Sequence, residues 1–350
     1  MESVGDDKLR GHERATSFDI AYRAGVSQST VSRALRGDPA VNEETRRKIE
    51  AIARELKYKV DKNASNLRRQ RSNTIAVLFF EDPSPDPSQI NPFFLSMLGS
   101  ITRACAKRSF DLLISFQHFA QDWNEDYEDS GKADGLILLG YGDYLTYRQH
   151  LEQLVAQGTR FVRWGAVQED QPGLSIGSDN FSGGRIIAEH LIGLGRRSIA
   201  FLGDASNHYP EFSERYRGYL AAMATAGLEP GPQIDAVSSE ESGLAATAAL
   251  LASGAKFDAI VAASDLIAAG ALHALRDAGL DVPADAALTG YDDIAAANLL
   301  NPPLTTVAQD TWLAGEKLVE TLLKLIAGEA AESLVLPAKL IVRRSCGARK

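Results

Sequence analysis

Few residues of this 350-residue chain have a type and spacing that could do covalent chemistry. Cys105 and Cys346 are far apart with no metal-ligand spacing, and the six histidines are scattered. There is no Gly-x-Ser-x-Gly elbow, phosphate-binding glycine loop, zinc spacing or favourable Cys–His arrangement, so no enzymatic role is expected. No cofactor is expected either: Gly183-Gly184 in SDNFSGGR is not a dinucleotide fingerprint and suits close helix packing. The sequence instead offers recognition chemistry. In SQSTVSR, Gln28 and Arg33 lie on a short helix, where glutamine can pair with adenine and arginine with guanine in a major groove. Thr16, Ser27, Thr30, Ser32 and Asn42 are short polar groups suited to phosphate oxygens, although each would also serve as a cap or a solvent-facing group.

Charge is divided along the chain. Residues 15–72 carry 13 Lys/Arg against 7 Asp/Glu, a net of +6. Residues 73–350 carry 21 against 35, a net of −14, so only the first part is expected to meet a polyanion. The composition, 45% hydrophobic and 24% charged, is that of a globular protein, and the length suggests about two or three domains. No apolar run approaches the ~18 residues of a membrane span, and the opening residues lack a signal-peptide core. The expected location is the cytoplasm, with no membrane partner.

The elements that would position the basic module can be read from its pattern. Thr16 and Asp19 mark a helix start, and Ile20, Ala21 and Ala24 form its apolar stripe. Gly25 ends that helix, and Ser27 caps a second from Gln28 to about Arg36. A third starts near Asn42, with Ile49, Ile52, Ala53 and Leu56 on one face. Three short helices with a glycine-bearing turn describe a helix-turn-helix head.

The run ATSFDIAYRAGVSQSTVSRALRGDPAVNEETRRKIEAIARELKY resembles the head of the lactose-repressor (LacI/GalR) family, and the resemblance extends through about residue 346. It implies that Gln28 and Ser29 are the base-reading pair and that Arg33 makes the next base or phosphate contact. It also implies a hinge over 60–72 that becomes helical on DNA, with Leu67 wedged into the central minor-groove step and Arg68 near phosphates. Val60-Asp61 departs from the family's usual Pro-Asn, which softens the stop before that hinge.

Beyond Asn73, strand-like runs at 75–80, 112–116, 135–139 and 161–164, then 199–203, 259–263 and 286–291, alternate with helical stretches. This predicts an α/β fold with parallel sheets. Ligands in such sheets sit outside the carboxyl ends of the strands, which nominates Asp82, Tyr141, Trp164, Tyr209, Ser264, Asp265, Asp292 and Asp293. The family resemblance implies a type I periplasmic-binding-protein-like core of two Rossmann-like subdomains over 73–346. The N-subdomain would hold about 73–175 and 309–336, and the C-subdomain about 176–308 and 337–346, behind a head at 15–59. It also narrows the ligand residues. Arg215 in FSERYRGY and Asp292 in TGYDDI fall on effector-binding positions, and Ser264 replaces a frequent asparagine. Gln309 lies at a crossover, and Phe93 in INPFF borders the cleft.

An arginine and a carboxylate facing one cavity suit paired sugar hydroxyls, with an aromatic face from Trp164, Tyr141 or Tyr144. The expected protein is therefore a homodimeric repressor of a carbohydrate-use operon, binding a pseudo-palindromic double-stranded operator and controlled by a sugar. A purine or nucleoside corepressor is the alternative effector, and a sugar-transport receptor the alternative class. The tail IVRRSCGARK lacks the heptads of a tetramerising helix, so a dimer is expected.

Overall fold

The computed structural model describes residues 15–35, 37–56, 58, 72–80, 90–117, 125–140 and 142–348. The expected hinge with Leu67 and Arg68, and the expected ligand residues Asp82 and Tyr141, lie outside the described residues.

Two compact units divide the chain between Arg71 and Ser72. The first holds α1 (Ser17–Ala24), α2 (Gln28–Leu35) and α3 (Glu43–Glu55). The Asp19 carboxylate accepts the Thr16 backbone N–H at 2.7 Å and its hydroxyl at 2.8 Å, which closes the start of α1. Gly25 terminates α1 with φ 71°, a conformation that costs glycine nothing. Ser27 Oγ accepts the Thr30 N–H at 3.2 Å and so caps α2. Ile20, Ala24, Val31, Ala34 and Ile49 are buried together and form the head's small core.

The second unit contains two six-stranded sheets. Its elements are β1 (Thr74–Phe80), α4 (Pro92–Lys107), β2 (Asp111–Gln117), β3 (Gly135–Leu139), α5 (Tyr144–Gln157), β4 (Phe161–Trp164), β5 (Leu174–Ser178), α6 (Asn180–Gly193) and β6 (Ile199–Leu202). These are followed by α7 (Pro210–Thr225), β7 (Gln233–Ile234), α8 (Glu240–Ala252), β8 (Ala259–Ala262), α9 (Asp265–Asp277), β9 (Ala287–Asp292), β10 (Thr305–Gln309), α10 (Thr311–Ala327), β11 (Leu334–Leu336) and β12 (Ala338–Ile341). The first sheet has the order β11-β5-β4-β3-β1-β2 and is parallel throughout. The second has the order β12-β10-β9-β8-β6-β7, with only β12 antiparallel. Strands such as GLILL and AIVA are apolar throughout because both faces of a parallel sheet are covered by helices.

After β10 the chain leaves the second sheet, and α10 packs on α4 of the first. Gly315 makes this possible, since a Cβ there would lie 2.6 Å from Ser100 Cβ. Glu316 on α10 pairs with Lys107 and Arg108 at 2.7 and 3.1 Å. Then β11 joins the first sheet and β12 the second, so the two sheets are linked by several passes of the chain.

The close approach expected of Gly183-Gly184 divides into two jobs. A Cβ on Gly184 would sit 1.9 Å from the Arg215 carbonyl oxygen, so it sets the contact of α6 with α7. A Cβ on Gly183 would meet the Tyr291 hydroxyl at 2.1 Å, so this glycine makes room for a ring and not for a helix.

Candidate DNA-contacting face and ligand cleft

Ser29 and Arg33 on α2 are exposed, while Gln28 is half-buried and donates through Nε2 to Ser17 Oγ on α1 at 2.9 Å. That bond holds the amide against the first helix, and a base edge would have to compete for it. Ser27 Oγ lies 2.8 Å from both Ser29 Oγ and Thr30 Oγ1, forming a hydroxyl cluster at the start of α2. The Asn42 side chain caps α3 through the Thr45 N–H at 2.8 Å, and the Thr16 hydroxyl is committed to Asp19. Ser32 is half-buried on α2.

In the larger unit, Trp164, Asp292 and Gln309 are the last residues of β4, β9 and β10, and Ser264 lies two residues past β8. All four sit at carboxyl strand ends, where an α/β sheet presents its loops. Gln309 Nε2 donates to Asp292 Oδ1 at 2.6 Å, and Arg215 Nη1 lies 3.8 Å from the same oxygen. Arg215 is only 1% exposed. Its Nε donates to Asn180 Oδ1 at 2.9 Å, Nη1 donates to the Ala263 carbonyl, and the guanidinium lies 3.8 Å from the centroid of the Tyr291 ring. The position of the arginine is therefore fixed by groups from α6, β9 and the end of β8.

Asp292 and Asp293 have φ values of 109° and 54°, a strained conformation for residues other than glycine. Three contacts hold the kink. Asp293 pairs with Arg343 Nη2 at 2.7 Å, while the carboxylate of Asp265 accepts the Ile294 N–H at 2.9 Å and the Thr306 hydroxyl at 2.6 Å. Gly290 leaves room for that carboxylate, because a Cβ there would approach Asp265 Oδ1 to 2.3 Å. Asp265 thus works beneath the loop and not in the cleft. Burial drives its pKa well above the usual carboxylate range, reinforced by Asp292. Burial also raises Asp292, to about 7, against the opposing pull of Arg215 and Gln309.

Phe93 and Trp164 pack with ring centroids 5.8 Å apart. Phe93, Asp292 and Gln309 also line a cavity of about 230 Å³ with Ser96, Asp293 and Trp312. Ser264 is fully buried: its Oγ accepts from Ser238 at 3.1 Å and caps α9 through the Ile267 N–H. Asn91 donates to Ser238 Oγ at 3.3 Å, which continues the chain of polar contacts from the first sheet's side to the second. Other bridges between the two halves are the Ala166 N–H to Glu211 at 2.6 Å and His208 Nδ1 to Asp143 at 2.8 Å.

Sequence reading did not single out Asn180, Tyr291, Asn91, Glu211 or Arg163. Arg163 is a buried cation on β4 whose Nη2 donates to the Ala166 carbonyl at 3.0 Å and whose guanidinium lies 5.5 Å from the Tyr144 ring centroid. An arginine inside the run FVRW was the available signal. Tyr144, suggested as a ligand-stacking ring, is instead occupied by this arginine. The sequence offers no favourable Cys–His spacing, yet the fold brings His190 Nε2 and Cys346 Sγ to 3.3 Å.

Among the described residues, no helix is long and apolar enough to cross a membrane. The pattern described as "Bacterial regulatory proteins, lacI family" matches residues 18–61, and "Periplasmic binding protein-like domain" matches 188–346. The chain is 31% identical to the HTH-type transcriptional regulator CelR of Thermobifida fusca, over 96% of this chain and 100% of that one. It is 30% identical to the ribose operon repressor of Escherichia coli, over 89% of this chain and 93% of that one. Among solved structures, the lac repressor dimer bound to operator and the anti-inducer ONPF matches with TM-score 0.82 and 28% identity, over 96% of this chain and 100% of that one. The CelR–cellobiose complex matches with TM-score 0.69 and 30% identity, over 95% and 100%.

Proposed function

The chain belongs to the LacI family of ligand-responsive, DNA-binding transcriptional regulators, and from that premise we propose that it is a cytoplasmic, homodimeric, non-enzymatic repressor of carbohydrate-use genes, controlled by a sugar. One observation carries the sugar assignment: Arg215, Asp292 and Gln309 converge at a carboxyl strand end, within 3.8 and 2.6 Å. A cation, a carboxylate and an amide together supply the mixed donors and acceptors that vicinal hydroxyls need. Phe93 and Trp164 offer the apolar wall for a sugar's C–H face. Two relatives, the CelR–cellobiose complex and the ribose operon repressor, support a sugar.

In this reading residues 15–59 form the DNA-binding head, 60–72 the hinge and 73–346 the ligand-binding and dimerising core. Gln28, Ser29 and Arg33 read bases, and Thr16, Ser27, Thr30, Ser32 and Asn42 meet phosphates. Leu67 and Arg68 act at the operator centre. A sugar controls the operator affinity only to the extent that it prefers one closure state of the two halves.

A thermal-shift screen of the full chain against mono- and disaccharides, nucleosides and purines tests the effector class. A sugar at about 100 times its Kd adds about 2.7 kcal/mol of stability. A shift with purines and none with sugars would overturn the sugar assignment.

Two further outcomes follow from this reading. Gln28→Ala is expected to cost about 1–3 kcal/mol on the preferred operator and to relax preference at one base pair in each half-site. A uniform loss across all sequences would assign Gln28 to the backbone. The dimer face is expected along the edge strand β2, where Leu113, Ile114 and Phe116 are exposed together with Leu95 of α4. A second copy is the occupant proposed, since the operator-bound relative is a dimer. Ile114→Asp should convert dimer to monomer in sedimentation and weaken operator binding by about a hundredfold or more, because the second head loses its tether. A dimer that persists in this variant would place the interface elsewhere.

A further inference from the structure

His190 and Cys346 come from α6 and the segment after β12, and their side chains meet with Nε2 3.3 Å from Sγ. Thr305, the first residue of β10, directs its hydroxyl at the same sulfur from 3.1 Å. The imidazole and the hydroxyl thus meet at one sulfur, which as a thiol donates to the Arg343 carbonyl at 3.5 Å and as a thiolate would accept from both. A thiol is a weak acceptor, whereas a thiolate is a strong one that satisfies such a set. Burial pushes this thiol up, yet the donors from His190, Thr305 and Ala348 outweigh burial and hold it below the ordinary cysteine range. Cys105 is the contrast within the same molecule: buried on α4, its thiol is pushed up to about 11. Cys346 is buried, and its neighbours Gly347, exposed, and His190 and Ala348, half-buried, lie between it and solvent.

The site is wired to the ligand loop. The backbone N–H of Arg343 donates to Thr305 Oγ1 at 2.8 Å, and the Arg343 side chain braces Asp293 at 2.7 Å. Strand β10 runs from Thr305 to Gln309, which holds Asp292. The neighbouring Ser345 accepts the Thr305 N–H and donates to the Leu288 carbonyl, pinning the tail to β9 and β10.

We propose that Cys346 and His190 form a thiolate–imidazole pair that small hydroperoxides oxidise, and that the oxidised sulfur loosens the tail bracing the Asp292 loop. The thiolate sulfur attacks the terminal peroxide oxygen, the O–O bond breaks, and the leaving hydroxide (alkoxide for an alkyl hydroperoxide) takes up a proton to become water (or the alcohol). Sulfur is oxidised to the sulfenic acid and the peroxide is reduced. Cys346 is only 1% exposed and Thr305 and His190 lie 3.1 and 3.3 Å from its sulfur, so an added oxygen displaces them and shifts the tail. Oxidation itself does not depend on the sugar assignment; the consequence for ligand control rests on it.

The test treats the full chain with hydrogen peroxide at pH 7 and traps sulfenic acid with dimedone, followed by peptide mass spectrometry. Cys346 should be labelled at least about tenfold faster than Cys105, since thiolate and not thiol reacts. His190→Gln and Thr305→Val should each slow labelling and move its pH midpoint upward while the melting temperature stays within a few degrees of the parent. Equal labelling of both cysteines, labelling only in denaturant, or an unmoved pH midpoint in a folded His190→Gln protein would overturn the pair. Hydrogen exchange over 288–294 should accelerate after peroxide in the parent and not in Cys346→Ser. Labelling without that acceleration would overturn the link to the ligand loop and leave the sugar reading untouched.

Discussion

Replacing Arg215 with alanine is expected to abolish the sugar response and to lower the stability of the core by about 3–5 kcal/mol, the range for removing one partner of a buried ion pair. Both effects have the same origin. Arg215 is packed against Tyr291, tied to Asn180 and the Ala263 carbonyl, and 3.8 Å from the buried Asp292 carboxyl. Its loss leaves Asp292 buried with Gln309 as its partner from β10, and exposes the floor of the cleft to water. Arg215→Lys separates the two roles. An ammonium keeps the charge and loses the planar fork, so much of the stability should return while sugar affinity stays more than tenfold weaker. Melting curves and ligand titration read these outcomes, and operator binding without ligand should survive in both variants. If the lysine variant binds sugar normally, Arg215 belongs to the framework alone.

Asp292→Asn is expected to remove sugar binding and to flatten the dependence of core stability on pH. Burial raises this carboxyl from an ordinary 3.8 to about 7 in the folded protein. Between those values the folded chain keeps a proton that the unfolded chain has released. Stability therefore falls as pH rises through that window, by up to about 1.4 kcal/mol per pH unit, and this contribution levels off above about pH 7. The accumulated cost is on the order of 4 kcal/mol, which the amide does not incur. Asp265 titrates in the same direction and keeps part of the slope, although it loses the reinforcement of its neighbour. Melting temperatures of parent and variant from pH 5 to 8 should converge towards the acid end and separate towards the neutral end. Parallel curves would mean that Asp292 is ionised throughout and that its site is wetter than its burial implies.

The strands that sequence reading located are apolar runs, and all of them except the edge strand β2, with its exposed Leu113, Ile114 and Phe116, lie inside their sheets. The run GLILL at 135–139 is a continuous apolar block and FVRW at 161–164 is broken only by Arg163, and their ends coincide with β3 and β4. It passed over β5, β7, β10, β11 and β12. LSIGS and TTVAQ mix small and polar residues; in TTVAQ the buried Thr305 and Thr306 hydroxyls bond to Cys346 and Asp265 from distant segments. The strands β7, β11 and β12 are two to four residues long, and β7 and β12 occupy sheet edges; no periodicity survives at that length.

The cleft divides in the same way. Arg215 and Asp292 stand in motifs that can be matched, and the fold sets them 3.8 Å apart. Asn180, Tyr291 and Glu211 act through partners 35 to 76 residues away, and no local pattern encodes such pairings. Asp265 was open to either a capping or a ligand role from sequence. Only the position of Gly290 and Thr306 above its carboxylate assigns it to the loop's support.

Equilibrium binding of the full chain to DNA, with and without sugar, tests the central claim most directly. Pseudo-palindromic sites would first be selected from a random pool, and the Kd then measured at fixed salt while each sugar found in the thermal screen is titrated. A selected two-fold site, bound about a thousandfold or more above bulk DNA and changed at least fivefold in affinity by a sugar, is the predicted result. Binding that shows no site preference, or a site whose affinity responds to nucleobases and to no sugar, would contradict it.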